Sequence, residues 1–205
     1  MSYLPNQRPN VGILIFDGVE VLDFCGPFEV FATARPPQQN KDEQRLYNVI
    51  TIAEEDRLID CRGGLIVQPH ATIDHHPPLD ILVIPGGQGT RREVSNHKIL
   101  DWILQQNQHT QLTTSVCTGA FLLAEAHLLD NHKATTHWGS IERLRSTYSS
   151  IQVVSDARVV DEGKIITSAG VSAGIDMSLH VLSRLHGIET AEWTARQMEY
   201  DFSAP

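Results

Sequence analysis

Three short runs, Val11–Phe16, Asp80–Ile84 and Gln111–Val116, each give way at once to turn-forming or small residues, and a helical pattern follows. The first ends at Asp17-Gly18, the second enters Pro85-Gly86-Gly87-Gln88-Gly89, and the third enters Cys117-Thr118-Gly119. Apolar runs this short read as strands covered on both faces. Strands alternating with helices on this scale predict an α/β fold, with a mainly parallel sheet and helices on both faces. Open sheets of that kind bind ligands beyond the carboxyl ends of their strands, where each of these glycine or cysteine turns falls.

The third turn is the most informative. Ser115 and Gly119 bracket Cys117 at two residues on either side. This small-x-nucleophile-x-small spacing lets a sharp strand-to-helix turn push its central side chain out over a sheet. The helix starting near Thr118 would aim free N–H groups and its positive end at the sulfur, favouring thiolate. Cys25 and Cys61 lack such a setting and read as small buried hydrophobes.

The remaining elements follow from periodicity and punctuation. A helix is predicted from Gly26-Pro27, with Phe28, Val30 and Phe31 on its apolar face, ending by Arg35-Pro36-Pro37. Tyr47–Ala53 alternates as a strand, and Leu58–Pro69, with Gly63-Gly64 inside, reads as a hairpin off the main sheet. A helix is expected at Asn96–Gln108, a short strand at Ala134–Thr136 and a helix at Trp138–Tyr148. Strand signals return at Ile151–Val154, Ala157–Val160 and Lys164–Thr167. A long helix at Gly170–His186 stops at Gly187, and a last one spans Thr190–Tyr200. Pro36–Lys41 is the expected flexible loop. The whole reads as a flexible N-terminus (1–10), one domain (11–200) and a short tail (201–205).

At 205 residues with 41% hydrophobic residues, one such domain can enclose its own sheet. A net charge of −9, with basic residues scattered, argues against a nucleic-acid partner. Three widely spaced cysteines make no disulfide framework and suit a reducing compartment, so a cytoplasmic protein is expected. The polar start, Met1–Asn10, holds no apolar core of a signal peptide, and no run approaches the roughly 18 apolar residues of a membrane span.

Beside Cys117 stand several candidates. Gly86-Gly87 could offer a backbone N–H which, with that of Thr118, would form an oxyanion-type hole; an ordinary glycine turn is the alternative. Neither a P-loop nor a complete Gly-x-Gly-x-x-Gly fingerprint is present. Asp23, an acid among apolar residues, reads equally as a helix cap or as a proton carrier whose pKa burial would raise. His137 could pair with the thiol or be structural. The histidines lack metal-site spacing, so no metal is expected.

Together, Val21-Leu-Asp23-Phe-Cys-Gly-Pro27, Ile84-Pro-Gly-Gly87, Ser115-Val-Cys117-Thr-Gly119, Ala134-Thr-Thr-His137-Trp138 and the stretch Thr167–Asp176 resemble the ThiJ/PfpI superfamily, from about Val11 to Tyr200. Within it they look like the isocyanide hydratase branch. The resemblance implies a flavodoxin-like three-layer sandwich, commonly a homodimer, with Cys117 as nucleophile and Asp23 as its acid. It implies a small electrophilic substrate and no cofactor, with Thr118 and Gly87 holding substrate or water and His137 peripheral. Protease-like members carry His after the cysteine, where this chain has Thr118; glyoxalase or deglycase members carry Glu at the position of Asp23. The same motifs occur in sensory domains of AraC-type regulators, where a DNA-binding domain follows. Here the sequence ends at Pro205 with nothing basic after the last helix, and a free-standing protein is expected.

Overall fold

The computed structural model describes residues 8–37 and 45–202. In chain order the elements are β1 (Asn10–Leu14), α1 (Val21–Thr33), β2 (Asn48–Ala53), β3 (Ile59–Asp60), β4 (Ile66–Val67), β5 (Ala71–Thr72) and β6 (Ile81–Ile84). There follow α2 (Thr90–Glu93), α3 (His97–His109), β7 (Leu112–Val116), α4 (Gly119–Glu125), β8 (Lys133–Ala134) and α5 (Ile141–Thr147). The chain closes with β9 (Gln152–Val153), β10 (Val159–Asp161), β11 (Ile165–Ser168), α6 (Ala173–His186) and α7 (Ile188–Gln197).

Seven strands form the main sheet in the order β10-β11-β7-β6-β1-β2-β5. Every pairing in it is parallel except β10 with β11. Helices α1, α6 and α7 pack on one another, while α2 and α3 gather against α4, so the sheet lies between two helical layers. This is the flavodoxin-like α/β sandwich. Each central strand is covered on both sides: all residues of β6 and β7 are buried. In β7 three of them are polar, and a buried hydroxyl is costly unless bonded. Thr114 donates to the Leu82 carbonyl at 3.2 Å, and Thr113 shares a 3.1 Å bond with Thr110. The third, Ser115, keeps its Oγ buried without a hydrogen-bond partner, while its carbonyl accepts from Ser168 Oγ at 3.1 Å.

The hairpin expected at Leu58–Pro69 is the separate β3-β4 pair. Helix α3 has Asn96 as its N-cap, the side chain accepting from the Ile99 N–H. Gly187 ends α6 at φ 87°. Three features differ from expectation. Helix α1 starts at Val21 rather than at Gly26-Pro27, so Pro27 sits inside it and forfeits the bond to the Asp23 carbonyl. Helix α6 starts three residues later than Gly170. The short elements β5 and α2 carry too little periodicity to be read. Residues 38–41 of the expected loop lie outside the described residues, as do 1–7 and 203–205. Among the described residues no helix is long and apolar enough to cross a membrane.

Candidate functional site

Cys117 links β7 to α4 with φ 56°, a left-handed conformation that costs a residue with a Cβ roughly 1–2 kcal/mol. The surroundings impose it. Its N–H is shared between the carbonyls of Ser168 (3.2 Å) and Ala169 (3.0 Å), and its own carbonyl accepts from Thr136 Oγ1 at 2.7 Å. Gly119 passes so close to β6 that a Cβ there would collide with the Ile84 carbonyl. Gly119→Ala is therefore expected to destabilise the protein by about 1–3 kcal/mol, read from the midpoint of denaturant unfolding. An unchanged midpoint would mean that the turn can shift away from β6.

Asp23, third residue of α1, is completely buried. The helix-cap alternative for it is overturned: the N-cap of α1 is Glu20, and Asp23 points instead across the sheet end. Its Oδ2 accepts the Gly86 N–H at 2.9 Å. Its Oδ1 is buried without a well-formed hydrogen bond, and the carboxyl lies against the Cys117 thiol and the Val171 N–H. Burial, the dominant cause, raises its pKa to about 7 against the pull of those donors. The Cys117 thiol is 6% exposed and is also pushed up, first by burial and then by the charge of Asp23. The N–H and hydroxyl of Thr118 favour the thiolate, but they are outweighed. The expected low-pKa thiolate is thus corrected. A dry pair resists holding two negative charges, so at neutral pH the sulfur keeps its proton beside an acid that can take it.

The two glycine N–H groups are already committed. Gly86 donates to Asp23, and Gly87, at φ 128°, donates to Thr118 Oγ1 at 3.0 Å. They hold the acid and the threonine instead of lining an open oxyanion hole. Room is short around them: a Cβ on Gly86 would lie 2.5 Å from the Thr118 nitrogen and 2.9 Å from Asp23 Oδ2. Thr90 Oγ1 lies 3.1 Å from Thr118 Oγ1 and fixes the hydroxyl from α2.

Cys117 and Thr118 open into a pocket of about 230 Å³ that Glu20, Arg62, Gln88, Arg91, His137, Arg143 and Val171 help to line. His137 packs against Gly170, and its Nδ1 accepts the Gly139 N–H at 3.2 Å. No hydrogen bond joins it to Cys117 among the described residues. Val171, at φ 54°, is a β-branched residue in a conformation such residues rarely adopt. It lies beside Asp23; the sequence takes in its stretch, Thr167–Asp176, only as part of the family resemblance and gives no sign of its conformation. Cys25 and Cys61 are free, and burial raises both thiols, Cys61 to about 11.

A larger cavity, about 660 Å³, is lined by Arg158, Asp161, Asp176 and His180, away from the cysteine. No cysteine lines it, and Arg158 pairs with Asp176 and Asp161 with His180 and Arg184. No group of three or more His, Cys, Asp or Glu among the described residues could hold a metal ion.

The chain is 34% identical over 196 residues to the isonitrile hydratase of Pseudomonas putida, covering 95% of this chain and 80% of that protein. It is 26% identical over 197 residues to the transcriptional regulator GbdR of Pseudomonas aeruginosa, covering 96% of this chain but only 52% of the regulator. Among solved structures, a ThiJ/PfpI protein from Pseudomonas syringae superposes with TM-score 0.84 at 29% identity, covering 97% of this chain and 78% of that one. Drosophila melanogaster DJ-1beta shares the fold, with TM-score 0.81 at 18% identity over 96% of this chain and all of that one. Residues 9–184 match the DJ-1/PfpI family, and the chain belongs to it.

Proposed function

We propose that this protein is a cysteine-dependent hydratase, adding water to an isocyanide to give an N-substituted formamide. One observation supports the reading above the others: a fully buried carboxyl with a pKa raised to about 7 faces the thiol of an elbow cysteine. General acid–base catalysis is most effective when the catalytic pKa lies near the working pH. The 34% identity to the isonitrile hydratase of Pseudomonas putida points the same way.

Asp23 takes the Cys117 proton as the sulfur attacks the terminal isocyanide carbon. A C–S bond forms, and the carbon lone pair so generated takes the proton back from Asp23, giving a thioimidate. Water then adds to the same carbon, with Asp23 accepting one of its protons and delivering it to nitrogen. The tetrahedral intermediate expels the thiolate and leaves the formamide, and the water's second proton returns to sulfur. Thr118, fixed by Gly87 and Thr90, places its N–H at the sulfur and positions the attacking water. The sum is an isocyanide plus water giving a formamide, so no electron carrier is needed.

Incubation with an aromatic isocyanide in heavy-oxygen water is expected to give the formamide with the label in its carbonyl. A formamide without label, or none at all, would overturn the reading. A second reading, a ligand-sensing domain, has its support in the match to GbdR. Tight saturable binding of small electrophiles with no turnover of any would favour it.

A further inference from the structure

The pocket over Cys117 is lined by three guanidinium groups, on Arg62, Arg91 and Arg143, and a single exposed-side carboxylate, that of Glu20. Arg62 and Glu20 neutralise one another through a 2.6 Å ion pair. Arg91 and Arg143 have no ion pair with any carboxylate among the described residues. Arg143 is not free to wander, because its guanidinium carbon lies 4.3 Å above the buried ring of Phe121 on α4, the helix that starts beside the sulfur. This concentration of positive charge occurs in a chain whose net charge is −9, so it is not an average property of the surface. The volume, about 230 Å³, falls below the roughly 300–1,000 Å³ usual for larger organic ligands.

The geometry points to a compact substrate that carries a carboxylate, held by Arg91 and Arg143 while its electrophilic carbon reaches Cys117. The planar guanidinium presents donors in the fork that a carboxylate accepts. The identification of the electrophile as an isocyanide rests on the function proposed above; the preference for an anion does not. On both readings together the substrate is an isocyanide bearing a carboxylate on a short carbon chain.

Iodoacetate and iodoacetamide test the charge preference with nearly identical shapes. In each, sulfur forms the S–C bond, the C–I bond breaks, iodide leaves with the bonding pair, and the thiol proton passes to Asp23 or solvent. The two rates are measured by mass spectrometry on the peptide carrying Cys117, and their ratio is compared with that of mercaptoethanol, a neutral thiol. The wild-type ratio is expected to favour iodoacetate by about fivefold for each of the two arginines, the upper end for exposed charge pairs. The Arg91→Gln, Arg143→Gln double variant is expected to fall back to the mercaptoethanol ratio. The Arg91→Lys, Arg143→Lys variant should retain most of the preference, and molar salt should compress it. A wild-type ratio equal to that of mercaptoethanol, or one that survives both glutamine substitutions, would overturn the inference. Failure of isocyanide turnover with the ratio intact would count against the proposed hydratase alone.

Discussion

Asp23→Asn is expected to lose turnover and gain stability at the same time. The loss should be about 10²–10⁴-fold, the usual range for removal of a positioned acid–base group. Alkylation of Cys117 by iodoacetamide should persist and move to lower pH, since the charge of Asp23 is second only to burial in raising the thiol. The gain has a definite pH dependence. Folding raises the Asp23 pKa from 3.8 to about 7, so the folded state favours the protonated carboxyl. Its stabilising contribution is complete below 3.8 and is lost as pH rises towards 7, above which the wild type carries the full cost of a buried carboxylate. Asparagine keeps the acceptor for Gly86 and carries no charge. At 1.36 kcal/mol per pH unit, the interval from 3.8 to about 7 bounds the difference at about 4 kcal/mol. Unfolding midpoints of the two proteins should converge near about pH 4 and separate, variant higher, by about pH 8. Normal turnover in the variant would remove Asp23 from the mechanism. Equal stability at both pH values would remove the argument from burial.

The residues that were legible beforehand share one property: their signal is local. Cys117 stands between Ser115 and Gly119, and the strand before it and the helix after it are each visible within a few residues. Gly187 stops α6 with the positive φ that glycine tolerates. Asp23 is legible as an outlier among Val21, Leu22 and Phe24, but its role depends on Gly86, 63 residues away, so its own residues leave two readings level and only the family resemblance favours the proton carrier. The start of α1 was misplaced because Pro27 reads locally as a first-turn residue; packing of α1 against α6 tolerates it inside the helix.

What the sequence could not show is what only the sheet assembles. Arg62 follows β3, Arg91 lies in α2 and Arg143 in α5, and nothing in their separate surroundings says that they face one pocket. The thiol pKa was expected in the wrong direction for a similar reason. A helix terminus is visible locally, whereas burial and a carboxyl delivered from another strand end are not, and those two causes dominate. Val171 gave the opposite of a signal, since a β-branched side chain is among the least expected at positive φ. Its strain is borne where the backbone turns its N–H toward Asp23.

Cys117→Ala is expected to reduce isocyanide turnover to the background rate, because among the described residues no other thiol lines the pocket. Comparison with Cys117→Gly tests how the elbow is held. If the left-handed turn is imposed by its neighbours, through the shared bond to Ser168 and Ala169, the bond from Thr136 and the approach of Gly119 to Ile84, then alanine must bear the same strain as cysteine. Glycine bears almost none. Glycine elsewhere is less stable than alanine by roughly 0.5–1 kcal/mol inside regular elements, through its greater loss of conformational freedom. At this position that deficit should vanish or reverse, since the left-handed penalty is of the same size or larger. Both variants should be inactive, with the glycine variant unfolding at the same denaturant concentration as the alanine variant or a higher one. A glycine variant clearly less stable than alanine would mean that the turn relaxes once the sulfur is gone, and that the thiol itself, through Asp23, holds the strained geometry in which it reacts.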